Sequence, residues 1–167
     1  MTSRRGFSIV ELMVVMTIAS VLLLYAMPAF NDFTTQRRMA ANANAMVAAI
    51  NLTRSEASLL GGTVSLQANA ANAANDEWGD GFCVTQGSPG NCNNPLRVFP
   101  LEGQNFTFNA LGGLNEEYAL SYNSRGMILN NLAGVVLLCG QDADDDPGRT
   151  IDISAIGRAS VRETNCF

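Results

Sequence analysis

The hydrophobic residues of the chain are distributed unevenly, and the longest apolar run lies close to the N-terminus. From Leu12 to Phe30 the sequence has nineteen residues without a charged side chain. A helix of that length rises about 28 Å, close to the roughly 30 Å hydrocarbon core of a bilayer. Arg4 and Arg5 precede the run, which favours a cytoplasmic position for the short leader. This pattern predicts a single helix that crosses a membrane.

Beyond Phe30 the pattern becomes amphipathic. Small and apolar side chains recur at alternating spacings of four and three residues, which places them along one helical face. Gly61 and Gly62 then supply a stop signal, so one helix is predicted from about Ser8 to Leu60. Many alanines and the lack of heptad leucines favour packing against a sheet over a coiled-coil seam. The residues of this stripe are Met39, Ala43, Met46, Ile50, Thr53, Ala57 and Leu60.

The remainder of the chain, residues 63–167, shows short β-like runs separated by Gly, Asn, Pro and Asp. Because these runs follow one long helix with no further helix between them, the predicted fold class is α+β with antiparallel sheet. The sequence shows no internal repeat and no second domain in this part. The candidate strands are Thr63–Ala68, Phe82–Gln86, Leu96–Phe99, Asn105–Asn109, Tyr118–Tyr122, Met127–Leu129, Gly134–Cys139, Thr150–Ser154 and Ala159–Arg162.

The composition excludes several classes of function. All ten positive charges are arginine, there is no histidine, and fifteen acidic residues give a net charge of −5. Mechanisms that need an imidazole, such as a serine–histidine triad or an HExxH zinc site, are excluded for this chain acting alone. The acidic balance also disfavours a global attraction to nucleic acid. The sequence therefore predicts a protein that is not an enzyme and that needs no cofactor.

The segment that precedes the apolar run carries a specific motif. A short basic leader is followed by Gly6-Phe7-Ser8-Ile9-Val10-Glu11 and then by the charge-free segment. This motif resembles the class III signal of type IV prepilins and type II secretion pseudopilins. The resemblance implies that a prepilin peptidase cleaves between Gly6 and Phe7 and that the new terminal Phe7 is N-methylated.

Glu11 stands out because an unpaired carboxylate at the edge of a membrane-spanning run is energetically costly. The resemblance implies that Glu11 neutralises the terminal amine of a neighbouring subunit, an attraction that is strong in a low dielectric. The alternative is a carboxylate that is simply stabilised by the dipole at the start of a helix. Pro28 is likewise expected to bend the helix, as a proline commonly does in this family.

Four further segments, spread over nearly the whole chain, resemble the GspH/FimT group of minor pilins and pseudopilins. The implied fold is pilin-like, with a long N-terminal helix whose first half spans the membrane and whose second half packs on antiparallel sheet. The resemblance divides the chain into a leader (1–6), a transmembrane and assembly helix (7–30), an amphipathic helix (31–62) and a periplasmic β-rich domain (63–167). The four segments are Thr53–Ala57, Trp78–Phe82, Leu120–Gly126 and Ile153–Arg158.

The resemblance also implies a function in assembly. The chain is expected to be a minor pilin that primes a type IV pilus or forms its tip, in twitching, adhesion or DNA uptake. A minor pseudopilin of type II secretion is the alternative. The implied partners are other major and minor pilins, the prepilin peptidase and N-methylase, and the inner-membrane assembly platform. The implied location is a single pass through the inner membrane, with the domain in the periplasm and later in a pilus at the cell surface.

The chain has four cysteines, Cys83, Cys92, Cys139 and Cys166, and an even number beyond the inner membrane indicates disulfides. Four cysteines allow three pairings. Cys83–Cys92 and Cys139–Cys166 are favoured, the second because many pilins close a C-terminal disulfide loop. A zinc site is disfavoured, since no C-x-x-C spacing is present.

An acidic run near residue 144 invites a calcium-site interpretation. Asp142, Asp144 and Asp146 have the spacing of the first three ligands of an EF-hand loop. However, Pro147 stands where the loop needs glycine, and Ile153 where it needs a bidentate glutamate. A solvated acidic turn is therefore the default expectation, and no metal site is predicted.

Three arginines, Arg149, Arg158 and Arg162, are close together in the C-terminal sequence. Some FimT-like minor pilins that capture DNA carry Gly-Arg-x-Arg near this position, and here Ser160 replaces the second arginine. On a strand, residues 158, 160 and 162 share one face, so Arg162 is a partial substitute. This resemblance makes a DNA-binding receptor pilin a further alternative, against the simpler interpretation of ordinary surface arginines.

Overall fold

The computed structural model describes residues 8–69, 78–103, 106–114, 117–129, 132–140 and 147–166. The chain divides into two compact units, Met1–Arg37 and Arg38–Phe167. One helix, α1, runs from Ile9 to Leu60 and contributes to both units. The predicted long N-terminal helix is thus present, with its expected bounds.

In the first unit α1 carries the charge-free segment, and its side chains are exposed in the isolated chain. By length and composition alone, α1 is long and apolar enough to cross a membrane. The two aliphatic hydroxyls of this segment are satisfied within the helix, since Thr17 and Ser20 donate to backbone oxygens four residues earlier at 2.8 Å. That arrangement suits hydrocarbon, where no water is available as a partner. α1 has no break at residue 28. The bend expected at Pro28 stays a prediction.

In the second unit the stripe along α1 is buried from Met39 to Ala57. The prediction was wrong for Leu60, which is 46% exposed. The reason is local: the helix ends at Leu60, and Gly61 turns the chain away with a φ of +64°. The backbone N–H of Gly62 then donates to the oxygen of Ala57, which closes the helix end.

The strands form two four-stranded antiparallel sheets. The first has the order β3-β2-β1-β5 and the second the order β4-β6-β7-β8. Both sheets and the second half of α1 contribute buried apolar residues to one shared core. The strands are β1 (Val64–Ala68), β2 (Phe82–Gln86), β3 (Arg97–Phe99), β4 (Phe106–Gly112), β5 (Ala119–Tyr122), β6 (Gly134–Gly140), β7 (Pro147–Ile153) and β8 (Ala159–Asn165).

The structure corrects one of the predicted strands. The segment 127–129 makes only an isolated bridge, between Ile128 and Tyr122. The cause is a tight turn in which the N–H of Gly126 donates to the oxygen of Asn123 at 2.8 Å. The chain reverses there, and Ile128 enters the core with 4% of its surface exposed. The four strands of the second sheet are longer than predicted, as in β8, which continues to Asn165, whereas β1, β3 and β5 of the first sheet each begin one residue later than predicted.

An aromatic cluster connects the two sheets. The ring of Phe82 in the first sheet stacks on Phe99 at 5.7 Å and meets the edges of Trp78 and Phe108 at 6.4 and 6.5 Å. Phe108 belongs to β4 of the second sheet, so the contact crosses between sheets. The indole N–H of Trp78 donates to the backbone oxygen of Glu117 at 3.1 Å, which satisfies its polar atom in the core.

Candidate functional site

The residues of the predicted processing motif lie at the N-terminal limit of the structure. Gly6 and Phe7 lie outside the described residues. Glu11 is exposed in the first turn of α1, where the N–H of Leu12 donates to the oxygen of Ser8 at 3.2 Å. A carboxylate in a first turn is favoured by the helix dipole. The ion pairs among the described residues do not include Glu11, so its carboxylate is available to a cation from elsewhere.

The first disulfide joins Cys83 of β2 to Cys92, with a Cα–Cα distance of 6.0 Å. Gln67 of β1 holds the same loop through hydrogen bonds. Its side-chain oxygen accepts from the N–H of Gly90 at 2.8 Å, and its amide donates to the sulfur of Cys92 at 3.8 Å. The Gly-Ser-Pro-Gly loop is therefore fixed to the sheet by one covalent link and one buried amide.

The second disulfide joins Cys139 of β6 to Cys166, with a Cα–Cα distance of 5.9 Å. It lies over Gly148 of β7, where an added Cβ would be 2.5 Å from the sulfur of Cys166 and 2.8 Å from the oxygen of Leu138. A side chain at position 148 would therefore collide with the bridge. Both pairings are those that the sequence analysis favoured, and together they leave no free cysteine among the described residues.

The structure separates two of the arginines that the sequence suggested as a cluster. Arg149 forms an ion pair with Glu163 at 2.7 Å. Arg162 holds Asp152 with two hydrogen bonds of 2.7 and 2.6 Å. Because Arg149 lies opposite Glu163 and Thr150 opposite Arg162, the two arginines lie on opposite faces of the second sheet. The predicted grouping was wrong, and each of these cations is already neutralised.

Arg158 is not on β8, which corrects the prediction that residues 158, 160 and 162 share a strand face. It lies in the turn between β7 and β8, where its backbone N–H donates to the Ser154 hydroxyl at 3.0 Å. Gly157 in this turn has a φ of +75°, a conformation that L-residues rarely adopt. The turn therefore presents Arg158 to solvent at the end of the sheet.

The segments that carry two other arginines meet the turn of Arg158 around Tyr122. The hydroxyl of Tyr122 donates to the oxygen of Gly157 at 3.1 Å, which joins the turn to β5. Burial raises the pKa of Tyr122 to about 12, and the charge of nearby Arg54 on α1 opposes this shift. An added Cβ at Gly126 would lie 3.1 Å from the Arg54 side chain, so the loop that carries Arg125 also meets α1 here.

We call the resulting region the basic surface, defined by Arg54, Arg125 and Arg158. These residues are exposed, and the ion pairs among the described residues include none of them. Sequence reasoning missed this grouping because the three residues lie in three distant segments. A weak signal was present, since each arginine belongs to one of the segments that resemble the GspH/FimT group.

The acidic residues that were weighed as calcium ligands, Asp142, Asp144 and Asp146, lie outside the described residues. The following positions are described. Pro147 begins β7, and Ile153, where a calcium loop needs its glutamate, is 2% exposed in the core. Within the described ranges no group of three or more His, Cys, Asp or Glu is placed to hold a metal ion.

Comparison with known proteins gives consistent results. A family model described as type II transport protein GspH matches residues 42–157, and a prokaryotic N-terminal methylation motif matches residues 1–27. No curated protein sequence gives a significant match.

Two crystal structures of the type IV minor pilin FimU from Pseudomonas aeruginosa strain PAO1 have the same fold. The first is 23% identical, covers 78% of this chain and 92% of that chain, and has a TM-score of 0.64. The second is 24% identical, covers 74% and 91%, and has a TM-score of 0.59. The methylation motif and the apolar helix together indicate a membrane-anchored protein. Since the GspH model matches well over half of this chain, the chain belongs to the GspH family of minor pilins and pseudopilins.

Proposed function

We propose that this chain is a minor pilin of a type IV pilus, which primes assembly of the filament or forms its tip. In this proposal, cleavage between Gly6 and Phe7 leaves the apolar helix in place as an inner-membrane anchor. The β-rich domain lies in the periplasm and passes to the cell surface with the pilus. Twitching, adhesion and DNA uptake are the activities that such a filament would serve.

The observation that carries this proposal is the position of Glu11. It lies in the first turn of a helix whose next nineteen residues have no charge, and no described residue forms an ion pair with it. A carboxylate that enters the bilayer alone is costly, so a cation from outside the chain would stabilise it. The terminal amine that cleavage at Phe7 creates on a neighbouring subunit has the required charge.

The two disulfides support the proposed location of the domain. Cys83–Cys92 and Cys139–Cys166 fit an oxidising compartment such as the periplasm, since cytosolic thiols are kept reduced. A bridge stabilises a domain by roughly 2–4 kcal/mol. Such bridges suit a domain that is exposed on a surface filament.

The test replaces the carboxylate without changing its shape. Glu11→Gln in the full chain, expressed in its host, should lower the amount in sheared filaments at least about tenfold, because the intersubunit ion pair is lost. Membrane insertion and leader removal should be unchanged in cell fractions. Glu56→Gln, on the same helix in the folded unit, is the matched control and should assemble normally. Normal incorporation of Glu11→Gln would refute the proposed role.

A minor pseudopilin of type II secretion is the second candidate, because the matched family model describes a type II transport protein. Deletion of the chain separates the two. Loss of surface filaments and of twitching, with normal secretion of exoproteins, supports the pilus. The reverse result supports the pseudopilus.

The DNA-receptor alternative loses its original support. Two of the three arginines on which it depended, Arg149 and Arg162, are ion-paired and lie on opposite faces of a sheet. Phosphate contacts would have to displace these carboxylates.

A further inference from the structure

The basic surface lies where three segments of the folded unit meet at the C-terminal end of α1. The loop Asn123–Met127 lies against the helix, since an added Cβ at Gly126 would be 3.3 Å from the Ser58 hydroxyl. The turn Ser154–Arg158 is held to β5 by the Tyr122 hydrogen bond. One continuous region therefore contains residues from the helix, from the first sheet and from the turn of the second sheet.

Three other arginines of the folded unit are engaged by neighbouring side chains. Arg149 and Arg162 are held by carboxylates, and the guanidinium of Arg97 lies 5.4 Å from the ring centroid of Phe99. No ion pair or ring contact among the described residues engages the basic surface. In a chain of net charge −5, three such cations in one region form a local field of opposite sign.

Two large apolar side chains are exposed in the same loop and turn. Met127 is 43% exposed and Ile156 is 63% exposed. Methionine and arginine are enriched at protein–protein interfaces, where apolar groups occupy the centre. Phosphate-binding surfaces need cations and polar donors but gain little from an exposed isoleucine. The combination favours a protein partner over a nucleic acid.

The backbone of the surface is already ordered. The side-chain oxygen of Asn123 accepts from the N–H groups of Arg125 and Met127 at 2.9 and 3.1 Å. The hydroxyl of Ser154 closes the other turn by donating to the oxygen of Arg158 at 3.2 Å. Little loop entropy would be lost on binding, which favours affinity.

We propose that the basic surface docks the acidic face of a neighbouring pilin subunit, with Met127 and Ile156 in the apolar centre and the arginines around it. This inference rests on the proposed function, because assembly through α1 would bring folded units into contact. The chemistry of the partner follows from charge complementarity, since unpaired guanidinium groups recruit carboxylates.

The test uses a photo-reactive amino acid at position 156 of the full chain, in the host cell. The expected product is a cross-link to a protein that carries the N-terminal methylation motif, through a peptide that contains Asp or Glu. The variant Arg54→Gln/Arg125→Gln/Arg158→Gln should lower its yield at least about tenfold, because the steering charges are removed. The control Arg97→Gln/Arg149→Gln/Arg162→Gln loses the same charge elsewhere and should retain the yield.

Other results would overturn the proposal. A cross-link that both triple variants retain equally would show that the basic surface does not choose the partner. A second contrary result has two parts: no cross-link to a pilin forms, and the detergent-solubilised chain retards duplex DNA. If Arg54→Gln/Arg125→Gln/Arg158→Gln alone abolishes that retardation, the surface is a nucleic-acid site. The Glu11→Gln result is independent: it decides the assembly function, whereas the arginine variants decide only the docking surface.

Discussion

The Tyr122 hydroxyl donates to the backbone oxygen of Gly157 at 3.1 Å, and this bond joins β5 of the first sheet to the β7–β8 turn of the second. Tyr122 is fully buried, and an added Cβ at Gly157 would lie 2.4 Å from its ring. The contact fixes the relative position of two segments of the basic surface. Stability and the shape of that surface therefore depend on the same glycine.

The first prediction concerns this close approach. Gly157→Ala should destabilise the folded unit by about 3 kcal/mol, because it adds both a ring collision and backbone strain at positive φ. Gly87→Ala is the matched control, since Gly87 has a φ of +90° with no atom near an added Cβ. The control should cost only about 1 kcal/mol. Denaturant unfolding of the full chain in detergent measures both, and equal losses would contradict the structural reason.

The second prediction concerns the Tyr122 hydroxyl and pH. Burial raises its pKa from 10.0 to about 12, so the folded state retains the proton more tightly than the unfolded state. The contribution of this raised pKa to the free energy of unfolding is complete below pH 10 and is lost as the pH rises from 10 to 12. Tyr122→Phe should cost about 1 kcal/mol at pH 8 through the lost hydrogen bond.

The difference between the wild type and Tyr122→Phe should therefore shrink above pH 10 and reverse as the pH approaches 12. Unfolding free energies at pH 8, 10 and 11 measure this crossing. Tyr118→Phe, at a half-exposed position, is the control and should follow the wild type. Parallel pH profiles for the wild type and Tyr122→Phe would show that this hydroxyl is not the titrating group.

Much of the fold was predictable because its signals are local. The 3.6-residue period from Met39 to Ala57 and the glycine at position 61 define the packed half and the end of α1. The prediction of a strand at 127–129 was wrong because the hydrogen bonds of Asn123 turn the chain, and only an isolated bridge forms. A short apolar run does not reveal whether it pairs or only fills the core.

The arginines were not predictable, because their positions depend on strand register and on the convergence of distant segments. Arg149 and Arg162 lie on opposite faces of the second sheet, and the register between β7 and β8 determines these faces. Arg54 and Arg125 are distant in sequence, and Gly126, next to Arg125, packs against the Arg54 side chain. Charges that are close in sequence are therefore a poor guide to a surface patch in a β-rich domain.

The third prediction concerns a polar side chain on the packed half of α1. Asn42 is 1% exposed, and its amide accepts from the N–H of Glu102 at 2.8 Å and donates to the oxygen of Glu102 at 3.0 Å. Asn42→Ala should destabilise the folded unit by about 2 kcal/mol, because two backbone groups lose their partner. Asn44→Ala, at an exposed position on the same helix, should change stability by less than about 0.5 kcal/mol. Similar effects of the two variants would contradict the role of this bridge in fixing α1.

The last prediction concerns the C-terminal disulfide and the glycine beneath it. Gly148→Ala places a methyl group 2.5 Å from the sulfur of Cys166 and 2.8 Å from the oxygen of Leu138, so either β7 must shift or the bridge must fail to close. Thiol labelling of the denatured chain should then detect free Cys139 and Cys166, whereas the wild type has none among its described cysteines. Gly90→Ala, in the loop of the other disulfide, meets no atom within 4 Å and should leave both bridges intact. Full oxidation of Gly148→Ala with wild-type stability would mean that β7 can shift without cost, and the close packing of Gly148 would then have no role in closing the C-terminus.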